Sequence, residues 1–133
     1  MKTAFEIDTI LFKLLNGKLS INGGIFKGDD RPEDSNREDV VVNTIDAPQD
    51  ALPQFATSNV NVYVADTTKK INGKMQISAN KARLESLTNE VLSLLRDAQI
   101  NGMKIIVANH TIMYEQATKQ HFSNIRIDWN IQI

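Results

Sequence analysis

The chain has 133 residues, of which 41% are hydrophobic, and its formal net charge is −1, from 15 lysines and arginines against 16 aspartates and glutamates. This length predicts a single domain, residues 1–133, with a modest core, and the near-neutral charge provides no general basic field for nucleic acid. There are no cysteines, which excludes disulfides, thiolate nucleophiles and cysteine-based zinc sites.

The first residues lack the composition of a targeting or membrane segment. Glu6, Asp8 and Lys13 interrupt the apolar residues near the N-terminus, and no small-residue cleavage site follows. No stretch of the chain approaches the roughly 18 to 20 apolar residues that span a bilayer. We therefore expect a soluble intracellular protein without membrane contact.

Residues 3–16 are predicted to form the first helix. Thr3 and Glu6 have the spacing of a capping box, and Asn16-Gly17 is a typical helix end. Apolar residues recur at three- and four-residue spacing, which predicts one buried face. These residues are Phe5, Ile7, Ile10, Leu11, Leu14 and Leu15.

Residues 18–27 are predicted to be extended, with a turn or bulge at Asn22-Gly23-Gly24. Residues 28–37 follow without any apolar side chain except that of Pro32, and they predict an exposed loop. The loop contains four acidic residues, Asp29, Asp30, Glu33 and Asp34. Clustered carboxylates can hold a hard cation, but these lack the spacing of a calcium loop, so a solvated loop is the expectation.

Three segments with β-branched or alternating residues predict strands. Residues 38–45 contain a run typical of a buried strand, and residues 59–66 alternate valines with polar side chains. Two prolines place the connection between them, residues 46–58, outside regular structure. Residues 125–133 alternate strictly, which predicts a long strand that continues to the last residue with one face on the core. Its apolar positions are Ile125, Ile127, Trp129, Ile131 and Ile133, and its polar positions are Arg126, Asp128, Asn130 and Gln132.

Residues 67–78 are polar and predict a long loop or a flexible hairpin tip. Lys69, Lys70 and Lys74 form a small basic patch there, without interleaved aromatic side chains. Stacking platforms for single-stranded nucleic acid need several aromatics, so a solvated loop is the first expectation. Contact with a phosphate or an acidic partner is the alternative.

The clearest helix is predicted over residues 79–101, with Ser78 or Asn80 as its N-cap and Asn101-Gly102 as its end. Its apolar stripe consists of Leu84, Leu87, Val91, Leu94, Leu95 and Ala98. A strand that begins at residue 103 is expected to continue to residue 114 through a bend near Asn109-His110. Residues 115–120 are then predicted to be a polar link into the last strand.

The order of these elements favours an α+β fold. We predict a mainly antiparallel sheet of four to five strands, with two helices packed on one face and long polar loops. Strands do not alternate regularly with helices, which disfavours a doubly wound parallel fold.

His110, Glu115 and His121 are the only residues that resemble a metal or acid–base set. Zinc needs three or four convergent ligands, and the helical spacing of the common metalloprotease motif is missing. No serine–histidine–aspartate order, nucleophile elbow or phosphate-binding glycine loop is defensible. We therefore expect no enzyme activity, no cofactor and no metal site. A small enzyme or metal-binding domain around these three residues is the third hypothesis, after the two given below.

The ordered set of segments resembles the tail terminator and tail-completion (head-to-tail joining) proteins of long-tailed bacteriophages and prophages. These share a short N-terminal helix, an acidic loop that contains proline, and a final alternating strand. The matching segments are Gly24-Ile-Phe-Lys27, Glu38-Asp39-Val-Val-Val-Asn43, Asn59-Val-Asn-Val-Tyr-Val64, Arg83-Leu-Glu-Ser-Leu-Thr-Asn-Glu-Val-Leu92 and His121-Phe-Ser-Asn-Ile-Arg-Ile127. The resemblance covers nearly the whole chain and depends on the order of the segments, since no single motif is diagnostic.

The resemblance implies an α+β subunit that assembles into a ring, commonly a hexamer. Such a ring caps the tail tube or joins it to the head, so its partners are tail-tube and head-connector proteins, with DNA at most passing through the lumen. It implies a structural protein that is cytoplasmic during assembly and then part of the virion tail or neck. No catalytic residue is carried over from the family.

The residues expected at interfaces lie in the two polar loops and on the polar face of the last strand. Loops 28–37 and 67–78 are expected to contact neighbouring subunits, tail protein or the lumen. The candidate interface residues are Asp29, Asp30, Arg31, Glu33, Lys69, Lys70, Lys74, Arg126 and Asp128. The second hypothesis is a small nucleic-acid-binding α+β module that uses the Lys69–Lys74 loop and the sheet face.

Overall fold

The chain folds into two helices and seven strands, and a computed structural model describes all of residues 1–133. In chain order the elements are α1 (Ala4–Leu15), β1 (Ile25–Lys27), β2 (Val40–Asp46), β3 (Thr57–Ala65), β4 (Thr67–Ile71), β5 (Lys74–Ser78), α2 (Lys81–Arg96), β6 (Met103–Glu115) and β7 (Gln120–Ile131). Five strands form one sheet in the order β1-β2-β3-β7-β6, and β4 pairs with β5 in a separate two-stranded sheet. In the large sheet only β1 and β2 run parallel.

Both helices pack on the same face of the large sheet. α1 contacts β1 and β2, α2 contacts β3, β6 and β7, and the two helices touch each other. One cluster of 19 buried apolar residues lies between the helices and the sheet. The prediction of an α+β fold, with a mainly antiparallel sheet and two helices on one face, is therefore confirmed.

β7 lies between β3 and β6 and supplies the centre of the core. Its odd-numbered side chains from residue 125 to residue 131 are all buried, as the alternation predicts. Full burial of one such side chain contributes about 1.5–3 kcal/mol. Trp129 also donates from Nε1 to Ser58 Oγ at 2.9 Å, which satisfies its only polar side-chain atom. The strand ends earlier than predicted, at Ile131, and Ile133 is exposed.

Both helices begin at predicted caps. Thr3 and Glu6 form the capping box of α1, and the side chain of Asn80 caps α2. α2 is shorter than the predicted range of 79–101, because it already ends at Arg96. Neither helix is long and apolar enough to cross a membrane.

The structure corrects two local predictions and refines a third. Phe5 does not share the buried face of α1, since its side chain is 84% exposed. Of residues 18–27, only the last three form a strand, which pairs in parallel with β2. The bend predicted near Asn109-His110 is a β-bulge at Ala108, inside one continuous strand that joins β7 in a hairpin.

Candidate assembly surfaces

The loop of residues 28–37 is fastened to the sheet by Arg31. Arg31 Nε donates to Asp39 Oδ2 at 2.8 Å, and the guanidinium lies 3.9 Å from the centre of the Tyr63 ring. Tyr63 stacks on Phe122, with 4.8 Å between the ring centres. The side chain of Arg31 is only 10% exposed. Arg31 was predicted as an interface residue, but so enclosed a side chain anchors its own loop instead.

Asp39 is the shared acceptor of this network. Its side chain is 2% exposed and accepts from Arg31, from Ser35 Oγ at 2.5 Å and from the Gly24 N–H at 2.9 Å. A buried carboxylate needs such partners, because its charge loses the solvation of water. Gly23 leaves room for the carboxylate, since a Cβ at this position would overlap Asp39 Oδ1. The close approach of backbone to carboxylate therefore explains the glycine at position 23.

A second ion pair joins the start of β2 to α2. Glu38 Oε2 lies 2.6 Å from Arg83 Nε, and Arg83 also donates to the Ser20 carbonyl. The hydrogen bond from Arg83 holds the pKa of Glu38 below its ordinary value. Hydrogen bonds from Ser20 lower the pKa of Glu90 in the same region, whereas burial raises the pKa of the Tyr63 hydroxyl. These shifts arise where secondary-structure elements are joined.

The other predicted interface residues of the loop remain on the surface. Asp29, Asp30 and Glu33 are exposed, and none of them forms an ion pair within the chain. They lie on a loop whose backbone is held in place by the Arg31 network. The loop thus presents negative charge from a fixed position.

Residues 67–78 form a β-hairpin, the second of the two alternatives that the sequence left open. β4 and β5 pair along their whole length, and Asn72-Gly73 makes the turn with φ of 50° and 77°. Positive φ at both positions is typical of the tight type I′ hairpin turn. The hairpin packs against no helix or other strand of its own chain. Because a lone two-stranded hairpin is marginally stable in water, this segment is the one most in need of a partner.

The two faces of the hairpin differ in composition. The register places Lys70, Met75 and Ile77 on one face, and Lys69, Ile71 and Lys74 on the other. Met75 and Ile77 are 67% and 65% exposed. All three predicted lysines are exposed and form no ion pair within the chain.

The face of the large sheet opposite the helices is polar along its centre. Arg126 and Asp128 are exposed there. Arg126 Nε donates to Asn59 Oδ1 at 3.2 Å, and Asn124 Nδ2 donates to Asn61 Oδ1 at 2.7 Å, so the hydrogen bonds run between β3 and β7. These bonded amides, with one charge of each sign beside them, make the centre of this face polar.

The sequence did not reveal a groove between α2 and the second half of β6. Its volume is about 370 Å³, and its lining includes Leu84, Thr88, Leu92, His110, Ile112 and Ser123. β6 is an edge strand of the sheet, so the backbone groups on its outer side have no partner strand. The available sequence signal was the run Ile112-Met113-Tyr114, whose three apolar side chains alternate between two faces and are all exposed.

Hydrogen bonds close the floor of this groove. Thr88 Oγ1 donates to the Leu84 carbonyl at 2.6 Å, and it therefore accepts from Ser123 Oγ, 2.7 Å away. Ser123 in turn accepts from His110 Nε2 at 3.0 Å. In nucleophilic catalysis the serine donates to its histidine base, so this pair has the opposite polarity. The Ser123–His110 bond is a structural contact.

The three residues considered for a metal site do not converge. His121 bonds to Asp66, with 2.6 Å between Nδ1 and Oδ1. Its neighbour on β6 is Tyr114, and His110 lies four residues before Tyr114, which is about 13 Å along the strand. No group of three or more metal-ligating side chains is arranged to hold an ion. Asp66 is the single residue between β3 and β4, so its bond to His121 fixes the base of the hairpin.

Comparison with known proteins assigns no family to the chain. No family model matches it, and no curated protein sequence is significantly similar to it. Function is therefore inferred from the surfaces of the subunit. The hairpin, the groove beside β6 and the polar sheet face are the three that its own fold leaves open.

Proposed function

We propose that this chain is a structural subunit that assembles with copies of itself into a ring, of the tail terminator or tail-completion type of long-tailed bacteriophages and prophages. The observation that carries the proposal is the hairpin of β4 and β5. It exposes Met75 and Ile77 and packs on no helix or other strand of its own subunit. Apolar side chains held out in water are unfavourable until a partner covers them, and a second subunit provides that cover.

The edge strand β6 supports the same proposal. It is 13 residues long, and its second half exposes Ile112, Met113 and Tyr114. Soluble proteins usually protect such an edge with charges, prolines, bulges or a covering segment, because an open edge pairs with other chains. In β6 the lysine and the bulge lie at residues 104 and 108, so residues 109–114 have neither. The hairpin and the edge of β6 are two different exposed surfaces, and a contact between them joins subunits head to tail. Such contacts form a closed ring when the rotation between neighbouring subunits divides a full turn evenly.

The polar face of the sheet suits a ring through which DNA passes. Its asparagine side chains bond to each other, and Arg126 and Asp128 balance in charge. Strong retention of DNA requires basic groups that neutralise phosphates and release counterions. A lumen lined by this face would let DNA move without holding it, while tail-tube and head-connector proteins bind elsewhere on the ring.

Assembly is tested by sedimentation and native mass measurement of the purified 14.9 kDa chain. We expect one closed oligomer of several subunits, and electron micrographs that show rings with a central opening. A chain that stays strictly monomeric at high concentration would count decisively against the proposal. The neighbouring genes give an independent check, because genes for capsid, portal and tail-tube proteins are expected beside this one.

A nucleic-acid-binding module is the second candidate, and the hairpin also favours it. Lys69, Lys70 and Lys74 project from the body on a segment without acidic residues. If they bind phosphates, replacing all three by alanine should reduce the slope of log affinity against log salt by up to about three. A chain that binds no DNA even at low salt would remove this candidate and leave ring assembly unaffected.

A further inference from the structure

We infer that the hairpin of one subunit docks, through its Met75 and Ile77 face, in the groove between α2 and β6 of a second copy of the chain. This contact rests on the proposed ring assembly and names the surfaces that make it. The hairpin and the groove lie on different elements of the subunit. Each copy therefore offers one and receives the other.

The groove and the hairpin face match in polarity. Leu84, Leu92 and Ile112 provide apolar groups in the groove, and its polar floor is already satisfied by internal hydrogen bonds. Met75 and Ile77 are two adjacent apolar side chains on one face of a narrow hairpin. Their insertion would remove apolar surface of both copies from water, while Thr88, Ser123 and His110 keep the hydrogen bonds that they already form.

The charge of the chain favours a second copy as the occupant. The hairpin contains three of the 15 basic residues and none of the 16 acidic residues, so the rest of the chain has 12 basic and 16 acidic residues and is net negative. Lys81 and Glu85 both line the groove, and neither forms an ion pair in its own chain, so Glu85 is open to a cation from another copy. Lys70 shares the hairpin face with Met75 and supplies the opposite charge.

The hairpin does not reach the groove of its own subunit. Only two residues, Ala79 and Asn80, separate β5 from α2, and both are committed to the body. Ala79 is buried and Asn80 caps the helix. At the other strand, Asp66 is held by His121. Both ends of the hairpin are thus fixed, so the occupant of each groove comes from another copy.

Disulfide trapping tests this contact directly, because the chain has no cysteine of its own. Ile77→Cys and Ile112→Cys would be prepared separately, one of them with a tag that changes its mass, and mixed under mild oxidation. We expect a mixed disulfide dimer several-fold above the yield of either variant alone. The matched control pairs Ile112→Cys with Phe55→Cys, another exposed apolar position, and should give only the background yield.

A pair of charge substitutions separates the two hairpin faces. The double variant Met75→Glu/Ile77→Glu should raise the dissociation constant of the assembly at least tenfold. The single variant Ile71→Glu, on the opposite face, should assemble normally. Rings without the mixed disulfide would overturn the docking contact and leave the proposed function standing. A trapped contact in a species no larger than a dimer would support docking and overturn the ring. A monomer at high concentration would overturn both.

Discussion

The loop of residues 28–37 and the hairpin of residues 67–78 are both rich in polar residues but have opposite structural roles. Both are polar and charged, and both were predicted to meet a partner. The loop is joined to the sheet through Arg31, Asp39 and Tyr63, whereas the hairpin contacts no other element. One buried carboxylate beyond the end of the loop makes the difference. A charged segment is therefore free for a partner only when the fold supplies no buried counter-charge for it.

The largest effect is expected from removing the anchor of the loop. Arg31→Met leaves the Asp39 carboxylate buried without its ion-pair partner, which should lower the free energy of unfolding by about 3–5 kcal/mol. Denaturant unfolding at low protein concentration measures the change. Lys70→Met on the hairpin is the matched control and should stay within about 0.5 kcal/mol. Equal losses of unfolding free energy in the two variants would contradict the conclusion that the loop is anchored to the sheet and the hairpin is not.

A smaller effect is expected at the glycine that accommodates the same carboxylate. In Gly23→Ala the added methyl group overlaps Asp39 Oδ1 and forces the network apart, at a cost of about 1–3 kcal/mol. Gly24→Ala is the control, since its Cβ would lie 3.3 Å from the ring of Phe26, a side chain that borders an open pocket, and would not meet Asp39. Thermal and denaturant unfolding should rank the glycine 23 variant as the less stable. The reverse order would mean that Asp39 is not held as described.

The Glu38–Arg83 ion pair should make stability depend on pH. The folded pKa of Glu38 is lowered, so its contribution is present above the ordinary glutamate value of about 4.3 and is lost as the pH falls through the lowered folded pKa. Glu38→Gln should cost about 1 kcal/mol at neutral pH, because the pair is partly exposed. Unfolding midpoints of the two proteins should converge as the pH falls below the ordinary glutamate range. A constant difference across this range would contradict the ion pair.

The fold was predictable where it depends on local patterns. The buried faces of β7 and α2 were predicted by the alternation in β7 and by the three- and four-residue spacing in α2. The capping box of Thr3 and Glu6 predicted the start of α1. Phe5 was assigned wrongly, because it lies on α1 outside the buried face of Ile7, Leu11 and Leu15. The end of α2 was also missed, because Asn101-Gly102 serves the turn into β6 instead.

The candidate surfaces were harder to predict because they depend on distant parts of the chain. Arg31 meets Tyr63 and Gln120, which lie far away in sequence, so its charge looked free. The groove exists only when residues 84 and 112 are brought side by side by the packing of α2 on the sheet. The lysines of the hairpin were identified correctly as exposed, since nothing in the fold approaches them.

The smallest effect on stability is expected from shortening the hairpin itself. Thr68 and Ile77 face each other across the strands, so Asn-Gly can replace residues 69–76 and close the chain with the same type of two-residue turn. Because the removed residues are all exposed and pack on no helix or other strand, the unfolding free energy of the subunit should change by less than about 0.5 kcal/mol. Sedimentation should nevertheless show loss of assembly. A large loss of stability in a monomeric preparation would show that the hairpin belongs to the fold, and unchanged assembly would assign the subunit contact to another surface, such as the edge of β6.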